Sequence, residues 1–174
     1  MTNRADAFRT LFDQHFGYVW SVLRRLGVRT EDAEDRAIEV FLAVRGKLHT
    51  LDAARPVRPW LFGFAYHVAL HARRAAARRR EVFGVDHELE APGARADELL
   101  AAAEDRSLLQ DALDELDLAR RAVLVMHDWD GEPMPEVARA LGIPVNTAYS
   151  RLRLARTDLA AAVRRLRARR GDAR

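Results

Sequence analysis

The stretch PEVARALGIPVNTAYSRLRLAR, Pro135 to Arg156, decides the fold. Val137, Ala138 and Leu141 are spaced to form the inner face of a short helix. Gly142 stops that helix by accepting a left-handed backbone. Pro144 has no amide hydrogen, so it is tolerated where the next helix begins. On that second helix Ala148, Leu152, Ala155 and Leu159 fall on one face, at about 100° per residue. The opposite face carries Asn146, Ser150, Arg153 and Thr157. Thr147 and Tyr149 flank it, and Arg151 and Arg156 sit nearer its edges. A helix laid in the major groove needs this arrangement, with N-terminal polar groups at base edges and arginines against phosphates. The alternative is a solvated basic face on an ordinary helix pair. The Gly–Pro turn and the arginines together favour a DNA-binding helix-turn-helix.

Working outward, almost every other segment reads as helix. Across residues 6–26, Phe8, Leu11, Phe12, His15, Val19, Val22, Leu23 and Leu26 recur at spacings of three and four, and Gly27 follows as a C-terminal stop. Thr30 is the expected N-cap of a second helix whose stripe is Ala33, Ala37, Val40, Phe41 and Val44. LHTLDAARPVRP, Leu48 to Pro59, is a loop. A third helix runs from about Pro59 into the arginines at 78–80, with Trp60, Leu61, Phe64, Ala65, Val68 and Ala72 expected in the core. From Glu81 to about Asp105 the periodicity fades into an acidic linker. Leu109, Ala112, Leu113 and Leu116 restart it. Asp117 caps the next helix, and a break is expected at DWDGEP, Asp128 to Pro133. The fold class is therefore all-α: two small helical domains, 1–80 and 106–174, joined by an acidic linker over 81–105.

Charge is sorted along the chain. Residues 1–80 hold 15 Arg/Lys against 8 Asp/Glu, residues 81–118 hold 2 against 12, and residues 119–174 hold 12 against 6. Two basic blocks flank an acidic one, which base composition of a genome does not explain. Of the 29 basic residues only Lys47 is lysine, and arginine forks suit phosphate. The acidic linker either pairs with basic surfaces or simply stays extended in water. Cysteine is absent, which removes disulfides, thiol nucleophiles and cysteine-based zinc sites. No apolar run is long enough to cross a bilayer, and the N-terminus lacks a signal core. A cytoplasmic protein with no membrane insertion is expected.

Three ordered segments resemble the extracytoplasmic-function (ECF) sigma factors of the sigma-70 family. DAEDRAIEVFLAV, Asp32 to Val44, is similar to the family's segment facing the polymerase clamp. RPWLFGFAYHVALHARR, Arg58 to Arg74, resembles its DNA-facing helix. The block from Leu113 to Arg156 resembles its C-terminal helix-turn-helix. The resemblance implies an alternative sigma factor that binds core RNA polymerase and directs it to particular promoters, with promoter DNA and an anti-sigma factor as further partners and no cofactor. It implies that Asp35, Arg36 and Glu39 bind polymerase. It puts the downstream promoter element, which the first domain reads and melts, against the Leu51–Arg58 loop and the following helix: Arg55, Arg58, Tyr66, His67, His71 and Arg74. It puts the upstream element against Asn146, Thr147, Tyr149, Ser150, Arg151, Arg153 and Arg156. The chain departs from the family pattern at Arg36 and Ile38, at Tyr66, His67 and His71, and in the prolines of the loop. Those at Arg36 and Ile38 bear on individual polymerase contacts, those at Tyr66, His67 and His71 point to an unusual promoter preference, and the prolines point to a stiffer loop.

Two other readings compete with this one. His67 and His71 are spaced as in a zinc helix, but Val68 stands where a catalytic glutamate would be, and no third ligand is near in sequence. A metal site and an enzyme are therefore not expected. A stand-alone helix-turn-helix regulator binding an operator as a dimer would use the same recognition helix. It leaves the N-terminal half without a purpose.

Overall fold

The computed structural model describes residues 4–52, 54–83 and 97–171. It contains α1 (Arg4–Arg25), α2 (Thr30–Lys47), a single 3-10 turn (Leu48–Thr50), α3 (Val57–Phe83), α4 (Asp97–Asp114), α5 (Leu118–Leu124), α6 (Met134–Ala140) and α7 (Val145–Gly171). No strand occurs among the described residues. The all-α architecture follows from the periodicity, and two helix ends follow from glycine. Gly27 has φ 90 and Gly142 has φ 64. At both, the residue after the glycine donates five residues back: Val28 N to Leu23 O at 3.0 Å and Ile143 N to Ala138 O at 2.9 Å. This is the Schellman closure, which satisfies carbonyls that the helix itself leaves open.

The first half is a bundle of α1, α2 and α3. Its centre is Phe41, whose ring lies 4.8 Å from Phe12, 6.2 Å from Phe16 and 6.4 Å from Phe8, centroid to centroid. The second half packs α5 and α6 against Ala148, Leu152 and Ala155 of α7. Asp117 caps α5 as expected, accepting from Ala119 N at 3.0 Å and Arg120 N at 3.3 Å. Helix α4 also lies along α7, with Asp111 paired to Arg170 at 2.7 Å and Glu115 paired to Arg165. Part of the acidic block thus neutralises the C-terminal arginines.

The two halves meet in one continuous buried cluster, and the seam contains polar groups. The C-terminal carbonyls of α1 lack a following helical turn, and the second half supplies side-chain donors to two of them. Gln110 donates to Arg24 O at 3.2 Å, and Arg121 donates to Arg25 O. Arg121 is fully buried and pairs with Asp114. Burial pushes its guanidinium below the ordinary arginine value, against the pull of Asp114. Further along, Tyr18 donates to Asp130 Oδ2 at 2.9 Å, and Arg25 donates to Asp130 Oδ1 at 3.1 Å. The Arg25 guanidinium also lies 4.8 Å from the Trp129 ring centre. Burial raises the pKa of both the Asp130 carboxyl and the Tyr18 hydroxyl.

Several boundaries differ from the sequence reading. Arg29, not Thr30, is the N-cap of α2; it makes no capping bond, and its guanidinium pairs with Glu31 and Asp32 instead. The break expected at Asp128 starts later, because α5 widens into a π turn over Val125–Trp129 and turns only at Gly131, φ 75. Helix α3 starts at Val57, two residues before Pro59, which is harmless in a first turn where amides lack helical partners. Helices cover both ends of the expected linker, up to Phe83 and from Asp97. Residues 84–96 of it lie outside the described residues.

Candidate nucleic-acid and polymerase interfaces

The outer face of α7 carries exposed Asn146, Tyr149, Ser150, Arg153 and Arg156. Thr147 and Arg151 are half-buried at its edges. The opposite face is pinned, since Ala148 and Ala155 are buried completely and Leu152 almost so. Arg156 differs from its neighbours. It grips Asp128 of the π turn with two bonds, Nε to Oδ2 at 2.9 Å and Nη2 to Oδ1 at 2.6 Å. That bond holds the Asp128 carboxyl below the usual carboxylate range. Asp128 itself lies within the π turn, Val125–Trp129.

On α3, His67, His71 and Arg74 are exposed and share one side, and Tyr66 is half-buried beside them. Arg78, also exposed, continues the stripe one turn on. It was missed in the sequence because it sits inside an arginine run that hides the spacing. Arg58 turns the other way. Its guanidinium lies 5.1 Å from the Tyr18 ring centre on α1. Arg55 pairs with Asp52 at 2.9 Å, and Asp52 also accepts from Ala54 N at 3.0 Å, so the loop is tied to itself.

Beside that loop is a cleft of about 680 Å³. Its walls include Lys47, Arg55, Trp60 and His67 from the first half, and Glu136 and Arg139 from α6. Lys47 and Arg139 are basic groups that the sequence reading did not assign to this place. Trp60 is not the buried core residue the spacing suggested. It is half-buried, meets Phe64 edge-on at 4.9 Å and also lines the cleft.

The outer face of α2 carries exposed Asp35 and Glu39. Arg36 donates to Glu39 at 2.7 Å. Between the carboxylates lie two apolar side chains, Ile38 at 43% exposure and Leu42 at 63%. Leu42 was missed because it matched the expected apolar content of a helix. Among the described residues, no group of three or more His, Cys, Asp or Glu side chains is arranged to hold a metal ion. No helix among them is long and apolar enough to cross a membrane.

Residues 11–79 match the family description "Sigma-70 region 2", and residues 106–159 match "Sigma-70, region 4". The chain is 34% identical over 152 residues to the ECF RNA polymerase sigma factor SigL of Mycobacterium tuberculosis, covering 87% of this chain and 85% of that protein. It belongs to the ECF sigma factors of the sigma-70 family. It is an alternative RNA polymerase sigma factor, and helical regions 2 and 4 account for its two halves. Similarity to the RNA polymerase sigma factor NccH of Alcaligenes xylosoxydans xylosoxydans is 29% over 159 residues, covering 89% of this chain and 86% of that one. Two solved structures share the fold. One is the sigma factor RpoE in complex with the anti-sigma factor NepR from Bartonella quintana, with TM-score 0.71, 17% identity, and coverage of 91% of this chain and 98% of that chain. The other is CnrH in complex with the cytosolic domain of CnrY, with TM-score 0.62, 26% identity, and coverage of 92% and 88%.

Proposed function

We propose that this sigma factor engages core RNA polymerase through the outer face of α2 and promoter DNA through two separate faces. The observation that carries the reading is the presence of two basic helical faces in one chain, on α3 and on α7. A single-site regulator has no use for the first. In this reading residues 1–80 work as one domain and 106–174 as the other, with the acidic segment 81–105 between them. Asp35, Arg36 and Glu39 surround an apolar pair, Ile38 and Leu42, whose exposure suits a protein partner. His67, His71 and Arg74 face the downstream element with Tyr66 beside them, Arg55 fixes the loop through Asp52, and Arg58 lies over Tyr18 of α1. Asn146, Thr147, Tyr149 and Ser150 face upstream bases, while Arg151, Arg153 and Arg156 meet phosphate once Arg156 exchanges Asp128 for DNA.

The protein is not itself an enzyme in this reading; it lends specificity to one. It works in the cytoplasm, where its polymerase is, and an anti-sigma protein is a further partner. The test is co-elution with purified core polymerase followed by run-off transcription. Asp35→Lys with Glu39→Lys should abolish co-elution while leaving helicity unchanged. Undiminished co-elution would move the polymerase surface off α2.

A further inference from the structure

Five large apolar side chains are exposed among the described residues, and two of them, Val145 at 39% and Tyr149 at 55%, stand in the first two turns of α7. Of the others, Ile38 and Leu42 belong to the α2 surface, and Trp129 meets the Arg25 guanidinium. No ring contact or side-chain hydrogen bond engages Tyr149 among the described residues. A single apolar side chain at a surface needs no explanation, but these two are a pair. Four residues apart, they form one stripe along the helix.

Asn146 and Ser150, each one residue further on, form a second exposed stripe about 100° around the helix. The outer face of α7 is therefore split into an apolar half and a hydrogen-bonding half. Buried Ala148, Leu152 and Ala155 fix the rotation of α7, so the two halves cannot exchange places. The hydrogen-bonding half suits the donors and acceptors of base edges. The major-groove code holds one apolar group, the C5 methyl of thymine.

We propose that Val145 and Tyr149 are thymine readers, which select upstream elements by contact with thymine C5 methyl groups. The inference rests on α7 as the upstream-element surface and names the base chemistry that its apolar half takes. Side chains at i and i+4 start about 6 Å apart, which spans one to two base steps of about 3.4 Å. The two methyls therefore belong to neighbouring or next-neighbouring base pairs. A tyrosine hydroxyl also donates to phosphate. That bond would hold any sequence and select none, so the two uses of Tyr149 separate by experiment.

The full chain selects duplexes from a randomised DNA pool, and fluorescence anisotropy at fixed salt then measures affinity. Each thymine of the selected element is replaced in turn by deoxyuridine, which removes the methyl and leaves every hydrogen-bonding group in place. At two thymines within two base steps, the parent chain should lose about fourfold in affinity per methyl. Tyr149→Phe should keep both losses. Tyr149→Ala should abolish the loss at one of the two, and Val145→Ala should reduce it at the other. Alanine is a strong helix former, so both variants should fold. Selected duplexes with no deoxyuridine-sensitive thymine would overturn the inference, as would sensitivity that survives Tyr149→Ala. Tyr149→Phe as damaging as Tyr149→Ala would overturn it too, by making the hydroxyl the working group. A pool from which no duplex is enriched would contradict the reading of α7 itself, whereas enriched duplexes indifferent to deoxyuridine contradict the thymine contact alone.

Discussion

The α7 face and the α3 cleft both gather groups suited to nucleic acid, yet they are built differently. On α7, Asn146, Ser150 and Arg153 project from a single helix whose other side is fixed by Ala148, Leu152 and Ala155. The face exists as soon as α7 packs. At the cleft, Lys47 comes from the end of α2, Arg55 from a loop, His67 from α3 and Arg139 from α6. That site depends on how the two halves meet. A face carried by one helix is ready in the free protein; a cleft shared by several elements changes whenever they move.

The largest effect is expected at the seam that makes the cleft what it is. Arg121→Ala leaves Asp114 without its buried partner and Arg25 O without its donor, so stability should fall by about 3 kcal/mol or more. Urea melts measure it. A loss below about 1 kcal/mol, within the range of ordinary substitutions, would show that the halves do not lean on this residue. Trp60→Ala comes next. A half-buried ring with one edge-on partner should contribute about 2 kcal/mol, less than a fully buried aromatic. Arg153→Ala on the open α7 face should change stability by less than about 0.5 kcal/mol. Equal losses at Trp60 and Arg153 would erase the contrast between cleft and face.

A smaller effect separates Arg156 from its neighbours. Asp128→Asn removes the charge that holds Arg156. Binding of region 4 to duplex DNA should tighten a few-fold for all sequences, and its salt slope should steepen by about one unit. A change confined to particular sequences would make Arg156 a base reader. The smallest effect concerns His15, inside the first half. Its Nδ1 is enclosed without a partner, and burial, helped by Arg58, lowers its pKa from the ordinary value of 6.5. The folded state therefore prefers neutral histidine. This contribution is complete above pH 6.5 and is lost as pH falls below it, where the unfolded chain takes up the proton first. His15→Phe should flatten that part of the stability profile, as thermal melts across the range would register.

What the sequence made legible follows the same division. Ala148, Leu152 and Ala155 announced the buried side of α7 by spacing alone, and Gly27 and Gly142 marked helix ends because glycine readily accepts a left-handed backbone. Phe8 and Phe12 showed in the α1 stripe and Phe41 in the α2 stripe, but spacing alone did not say that the two stripes meet, and Phe16 was not picked out. The misses involve partners distant in sequence. Nothing local says that Asp128 reaches Arg156 or that Arg139 of α6 lines the same cleft as His67. Trp60 has the spacing of a core residue, and only the neighbouring cleft explains why it is half-exposed. The π turn was hidden because widening a helix by one residue leaves no composition signal.

Transcription from a randomised promoter library by core polymerase tests the sigma-factor account most directly. With the chain present, transcripts should arise from promoters sharing two separated elements. Asn146→Ala and Ser150→Ala should alter the upstream element alone, and exchange of the Leu51–Arg58 loop should alter the downstream one alone. Transcription identical with and without the chain would contradict the account, as would a single α7 substitution that rewrites both elements together.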